Sequence, residues 1–514
     1  MNADSATIAG HSDAAPATPE PAREVTSAQL VVRNVLWNLG GTILPSIAAL
    51  VSIPFLTRDL GTDQFGILTL SWVVIGQLNV FDLGLGRALT KLVAERLGTQ
   101  RETSIPPLFW ASFLLTLILG VAAGMIVACL APWLVHRVLK IPVVLQPETL
   151  RTFYLIALAL PAVVSTIGLR GFLEGCHRFD LLNAVRIPAT VFFYLGPLLV
   201  LPFSRRLLPA MIVLVAGRLV GWLAHLWVCV RAFPALYHRS PRGAPLHEMF
   251  SFGTWMTVSN LISPIMVSLD RFMIAAVLSV TAVTYYATPN EVITRFLVLP
   301  AAIVAVLFPV FSASLAQAPQ RTAALFDRSL KCIFVLAFPV ILLLVGFGHE
   351  ALSLWLGPVF ADNSTRVLQW LSIGVFFNSV GFIPFAQLQG AGRPDLTAKL
   401  HLLELPLYLA ALWGLVHLYG IVGASLAWLF RAGLDSCLLL FATGRILPAC
   451  RAAARYTSRL MFAGGCLLAV PTFLPALWPR VAYVAITAAI FCVLGWSRLL
   501  TSRERGFVYE WLRV

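Results

Sequence analysis

The sequence predicts an all-α polytopic membrane protein of 14 transmembrane helices, built as two parallel-repeat sets of six followed by two more. Three observations predict it. The chain holds 14 separable apolar stretches of spanning length, with no soluble insert between them large enough to be a domain. Its residues are 59% hydrophobic and 12% charged, whereas a soluble globular chain is roughly 25% charged. A short motif also recurs at an offset of 215 residues, which is six spans further along.

Residues 1–30 are rich in Ala, Pro, Ser, Thr and Glu and contain no apolar run, so they are expected as a mobile cytoplasmic tail. The first apolar run is too long for a signal peptide and lacks a basic leader with a cleavage site, so it is read as helix 1. Spans are expected at 34–56, 64–82, 108–135, 149–169, 183–203 and 208–232, then at 249–274, 284–312, 330–349, 366–389, 396–418 and 420–443, and finally at 458–478 and 481–499. Several apolar stretches, among them Leu108 to Val135 and Phe296 to Gln320, carry no Asp, Glu, Lys or Arg. Each has the roughly 20 residues that a helix needs to cross about 30 Å of hydrocarbon. The corresponding divisions are 31–240 and 241–445 for the two six-helix sets and 446–514 for the last two helices with a cytoplasmic tail.

Charge sets the expected orientation. With the N-terminus in the cytoplasm, the cytoplasmic segments hold 24 cations and the opposite ones nine. Basic loops are retained inside, so both termini are expected there. The loop between helices 3 and 4, with Arg137, Lys140 and Arg151, is basic on the wrong side. Trp37, Trp133, Trp355, Trp478 and Trp496 fall near span ends, as an interfacial belt requires. The 33 Arg against Lys91, Lys140, Lys331 and Lys399 are explained by codon bias as well as by anion recognition.

The recurring motif is LEGCHRFDL at Leu173 to Leu181 and LQGAGRPDL at Leu388 to Leu396. Each Arg-x-Asp reads as a retained cytoplasmic cation followed by an Asp N-cap for the next helix. A weaker correspondence sets Leu60 to Leu68 against Leu278 to Tyr286. Six spans preserve orientation, so the repeats are parallel, and a substrate path is expected between them. The eight cysteines and nine histidines show no metal-ligand spacing, so no metal or other cofactor is expected. Nucleic acid is not an expected partner.

Several segments resemble the polysaccharide flippase family, the Wzx type, of the MATE-like multidrug/oligosaccharidyl-lipid/polysaccharide exporter superfamily. The strongest is FDLGLGRALTKLVAE at Phe81 to Glu95. Others are LTRDLGTDQFGIL at Leu56 to Leu68, DRFMIAAVL at Asp270 to Leu278, and GRPDLTAKL through YGIVGASLAWLFR over Gly392 to Arg431. The resemblance implies two six-helix bundles in a V, alternating access, and outward movement of an undecaprenyl-pyrophosphate-linked oligosaccharide across the bacterial inner membrane for surface polysaccharide assembly. Other polysaccharide-assembly proteins are then expected partners. Helices 13 and 14 are an addition that many relatives lack.

Charged groups at membrane depth are costly and mark function or pairing. Arg186, Arg218, Arg295 and Arg431 fall inside spans, with the acids Asp82, Asp270, Glu291, Glu404 and Asp435 at or near depth. Glu291 and Arg295 have the acid-first i,i+4 spacing of a helical ion pair, and Arg431 with Asp435 share that spacing. Guanidinium matches phosphate oxygens in pairs. Since the resemblance places helices 1, 2, 7 and 8 on the cavity, Arg295, Arg271 and Arg58 are the expected substrate cations, and Asn38 and Asn260 the expected sugar contacts. Asp270, Glu291 and Glu404 are the candidates for coupling to a proton or sodium gradient. Prolines within or near spans, including Pro45, Pro54, Pro161, Pro188, Pro300 and Pro384, remove backbone donors and bend helices. The rival readings are an ion-coupled multidrug antiporter, whose cavity needs acids, and a membrane polysaccharide polymerase. No Walker-type phosphate loop occurs, and the longest expected external loops are only about 15 residues, so an enzyme is not expected.

Overall fold

A computed structural model describes residues 28–76, 85–99, 102–176, 178–237, 268–314 and 319–495; for residues 28–42 and a few others within helices it describes the backbone alone. All regular structure among the described residues is helical. That is the outcome hydrocarbon enforces on a chain this apolar, because a helix satisfies its own backbone polar groups. The elements are α1 (Ala28–Gly76), α2 (Leu85–Gly98), α3 (Ile105–Trp133), α4 (Gln146–Gly175), α5 (Phe179–Leu195) and α6 (Leu207–Ala232). They continue as α7 over residues 268–277, then α8 (Val280–Ile293), α9 (Val298–Ser314), α10 (Pro319–Leu356), α11 (Pro358–Gly390), α12 (Pro394–Ile446), α13 (Arg451–Ala469) and α14 (Leu477–Leu494).

Among the described residues eight helices are long and apolar enough to cross a membrane. Two of them contain a break where the sequence places the end of one span and the start of the next: Gly61 in α1 (φ 79°) and Gly420 in α12 (φ 60°). After Gly420 the chain doubles back so tightly that a Cβ on Gly423 would lie 1.8 Å from Leu415 O. The expected span 284–312 is two helices, α8 and α9, separated by a 3-10 turn at Thr294–Leu297. Pro300 has no N–H to give the carbonyl of Phe296, so one rung of the α-helical ladder is missing at this point. Most of the expected seventh span, the whole 1–27 stretch of the tail, and residues 81–84 of the family motif lie outside the described residues.

Helices α1–α6 pack largely among themselves, α3 on α4 and α4 on α6, and α10, α11 and α12 form a second packed group. The rest of the family motif forms α2, which docks on α4. There Thr90 Oγ1 donates to Gly171 O at 2.9 Å, and a Cβ on Gly171 would meet Gly86 O at 2.3 Å. The LEGCHRFDL and LQGAGRPDL motifs take one geometry. Arg178 N donates to Leu173 O (2.9 Å) as Arg393 N does to Leu388 O (3.0 Å), and each Arg forks onto its Asp, Asp180 or Asp395. The Asp residues do not cap. They sit in the first helical turn, where the dipole favours an acid, and their side chains turn back to the arginine.

Helices α13 and α14 fasten to α10 and α11. Arg480 is buried and bonds Glu350 Oε1 (2.7 Å) and Gly346 O (3.1 Å), while Phe491 stacks on Phe338 at 4.7 Å.

At one end of the molecule the two packed groups meet. Gly66 lies so close to α8 that a Cβ would be 2.0 Å from Val280 O. Thr284 Oγ1 donates to Thr62 O at 2.6 Å, the Thr281 hydroxyl donates to the Asp63 carboxylate, and Trp355 Nε1 donates to Leu50 O at 3.0 Å. These are the two stretches, Leu60 to Leu68 and Leu278 to Tyr286, that correspond in sequence, and they lie against one another. Lys140 closes the same end, its backbone N donating to Ala275 O (2.9 Å) and its ammonium to Val277 O. It thereby caps the carboxyl end of α7, where a cation is favoured, which gives the unexpectedly basic loop a structural use.

Candidate functional site

Just inside that closed end, α7, α8 and α5 bring polar groups together. Glu291 and Arg295 form the ion pair their spacing allows, within one turn of helix. The second cation comes from α7: Arg271 Nη2 lies 3.4 Å from Glu291 Oε2 and 3.3 Å from Asn290 Oδ1. Tyr194 of α5 completes the group, donating from its hydroxyl to Glu291 Oε1 at 2.9 Å and accepting from Arg295 Nη2 at 2.5 Å. Trp72 holds that ring in place, edge-on at 5.3 Å. Two guanidinium groups thus share one carboxylate among partly buried side chains, 12% exposed for Arg271 and 30% for Arg295, with the Asp270 carboxylate adjoining Arg271.

Arg295 and Glu291 also line a cavity of about 350 Å³ between the first part of α1 and the α8–α9 break, walled by Ile43, Ile47, Leu50 and Phe296. Apart from Ser46, Glu291 and Arg295 the cavity lining is apolar, the arrangement a ligand with a greasy tail and a charged head requires. Arg271 does not line it; it stands behind Glu291.

The remaining expected residues are dispersed. Arg58 is exposed beside the Gly61 break, and its neighbour Asp59 faces Arg205 at 3.9 Å. The side chain of Asn38 and all of Asn260 lie outside the described residues. Asp270 is fully buried, accepting from the Tyr286 hydroxyl and from Arg271 N (2.7 Å). Glu404 is buried in α12, and neither of its oxygens has a hydrogen-bond donor. It meets His401 and Asp435, each offering a ligand atom within 4.8 Å of the others.

The Arg431–Asp435 ion pair that the spacing allows is not formed. Asp435 turns to His401, 3.6 Å away, while Arg431 lies over the rings of Tyr408 (5.9 Å) and Trp428 (5.6 Å). Helical spacing puts two groups on one face, and packing on either side of α12 has drawn them apart. Tyr194, Asn290 and His401 are members of these clusters that sequence reasoning did not single out. Their polarity inside apolar helices was the available signal.

Comparison with known proteins fits this architecture. Residues 31–315 match the polysaccharide biosynthesis protein family. The chain is 30% identical over 414 residues to a Shigella flexneri protein that bears the name O-antigen transporter, covering 80% of this chain and 96% of that one. Among solved structures, the lipid II flippase MurJ in an inward closed conformation aligns with TM-score 0.68 at 12% identity, covering 91% of this chain and 100% of MurJ. An inward-facing MATE multidrug resistance transporter aligns with TM-score 0.67 at 15% identity, over 82% of this chain and 96% of that one. The fold is that of a multi-pass membrane transporter. With more than half of its length matching that family, and a relative covered nearly end to end, the chain belongs to the polysaccharide biosynthesis protein family.

Proposed function

We propose that the protein moves a lipid-linked oligosaccharide, carried on undecaprenyl pyrophosphate, outward across the bacterial cytoplasmic membrane by alternating access. The observation that carries this reading is Arg295 on the wall of a mostly apolar cavity, with its partner carboxylate Glu291 shared by a second guanidinium, Arg271, from behind. A pyrophosphate cannot cross hydrocarbon uncompensated, and Arg295, steadied by Tyr194 and Glu291, is placed to receive it. Arg271 keeps Glu291 from cancelling that charge. The names of the relatives, an O-antigen transporter and a lipid II flippase, support the same substrate class.

In this reading there are 14 transmembrane helices with both termini in the cytoplasm. The breaks at Gly61 and Gly420 are turns between spans, and α8 and α9 are one bent span. Two repeat-related six-helix bundles rock against one another, the contact of Gly66 with Val280 closing one end while the cavity opens toward the cytoplasm. Energy enters through the acids of the second bundle. Two carboxylates as close as Glu404 and Asp435 need a proton or a cation between them, and His401 completes a group that a proton or sodium gradient can load.

The test is a deletion strain analysed for lipid-linked intermediates. Accumulation on the inner leaflet supports flipping, and normal outward exposure with loss of polymer rejects it in favour of an enzyme. Charge reversal, Arg295→Glu, separates the multidrug antiporter reading: a flippase loses surface polysaccharide, and an exporter of cations does not. Coupling is rejected if substrate uptake into vesicles ignores an imposed ion gradient.

A further inference from the structure

A second cluster of cations lies in the first bundle, away from Glu291. Arg170 of α4, Arg186 of α5 and Arg218 of α6 line one small pocket together with His225, Thr166, Thr190 and Trp222. On each helix the lining residues recur three or four apart, so three helix faces converge on it. The approach is close because α6 offers no side chain where α5 needs room: a Cβ on Gly217 would lie 2.4 Å from the Phe192 ring.

The cluster has no described counter-ion. No ion pair joins any of the three arginines to a carboxylate among the described residues, although Arg170 feels the like charge of Arg186 and the opposite charge of Glu174, and Arg218 feels the like charge of Arg170. Glu174, the acid one turn along α4, makes no ion pair with Arg170. The Nε atoms of Arg170 and Arg218 are buried without a partner, and so is Nε2 of His225, whose Nδ1 is engaged with Gly221 O at 2.7 Å. Only the flat face of Arg218 is occupied, by the Phe193 ring at 4.2 Å. Three like charges held together with donors unused are electrostatically costly unless an anion joins them. The hydroxyls of Thr166 and Thr190 are spent on their own helices, so the free donors are the cationic ones.

We propose that Arg170, Arg186 and Arg218, with His225, form a second anion site that seats the phosphate-bearing group of the transported lipid before it reaches Arg295. This rests on the flippase reading. The volume, about 150 Å³, takes a phosphate or pyrophosphate but not a saccharide chain. Guanidinium forks bind the phosphate oxygens, and His225 lines the same pocket with its Nε2 unpartnered. By the charge distribution of the loops the pocket belongs to the cytoplasmic half of the protein, and the Arg271–Arg295 group to the outer half. The two sites are then successive stations for one headgroup.

The test uses the full-length protein in nanodiscs, with inorganic pyrophosphate and farnesyl diphosphate as probes in a direct binding assay. Arg170→Gln/Arg186→Gln is expected to weaken pyrophosphate binding by about tenfold or more, the scale of one lost charge-assisted hydrogen bond, while Arg295→Gln leaves that component in place. Farnesyl diphosphate losing affinity in parallel supports the lipid as source. Pyrophosphate binding without farnesyl diphosphate binding overturns the lipid assignment. Unchanged affinity for both probes overturns the site. If the double variant fails to fold, Arg218→Lys and His225→Gln are read in the same way. A pyrophosphate site sensitive to these residues, in a protein whose Arg295→Glu strain keeps its surface polysaccharide, retains the site and rejects the flippase reading.

Discussion

Gly66→Ala should drive the closed end of the protein open. The added methyl group would sit 2.0 Å from Val280 O and 3.1 Å from Thr284 Oγ1, where real Cβ contacts are essentially never under 3.0 Å. Either α1 or the first turn of α8 must therefore retreat by about 1 Å, which also strains the Thr284 to Thr62 and Thr281 to Asp63 hydrogen bonds. Overpacking of this kind costs about 1–3 kcal/mol. The penalty falls only on the conformation in which the two segments touch, so it shifts the balance between closed and open ends by about 5- to 150-fold. The assay is the rate at which a bulky maleimide labels a cysteine placed at Thr62 in a cysteine-free background, with and without the alanine. Labelling should accelerate within that range while thermal stability falls only slightly. An unchanged rate in a folded Gly66→Ala protein would refute the view that this contact is the closed gate.

Other outcomes follow from the same structure. Arg295→Lys keeps a charge but loses the fork, so surface polysaccharide should fall roughly tenfold, as the loss of about 1.4 kcal/mol implies, while Arg295→Glu abolishes it. Arg480→Met should loosen α14 from α10 and destabilise the protein by about 1 kcal/mol, held to the low side because Glu350 is partly exposed, with a lower melting temperature in detergent. Gly420→Ala places a side chain at φ 60°, ψ −136°, and should cost about 1–3 kcal/mol, read by the same melt. Arg178→Gln removes an exposed pair and should change stability by less than about 1 kcal/mol; a large drop would show that the repeated Arg-x-Asp does more than tie its own turn.

The architecture was readable in the sequence because it is local. Apolar length and the spacing of Glu291 and Arg295 are properties of neighbouring residues. What the sequence could not disclose was non-local. Nothing in the chain says that Arg271 crosses to Glu291, or that Tyr194 arrives there from another helix 97 residues away. Arg431 and Asp435 make the point from the other side: the spacing that correctly paired Glu291 with Arg295 failed here, because rings on one flank and His401 with Glu404 on the other offered better neighbours. Arg170 looked like one more cation at a span end. Only the convergence of α4, α5 and α6 puts it beside Arg186 and Arg218.

The 3-10 turn at Thr294–Leu297 has a mechanical consequence. Arg295 sits on that turn rather than on either flanking helix, so whatever it grips is held at an elbow. A load at the joint of two stiff rods is felt as a change in the angle between them, and α8 and α9 each run some 20 Å or more at about 1.5 Å per residue. An anion seized or released at this joint would therefore be amplified into displacement at the far ends of both arms.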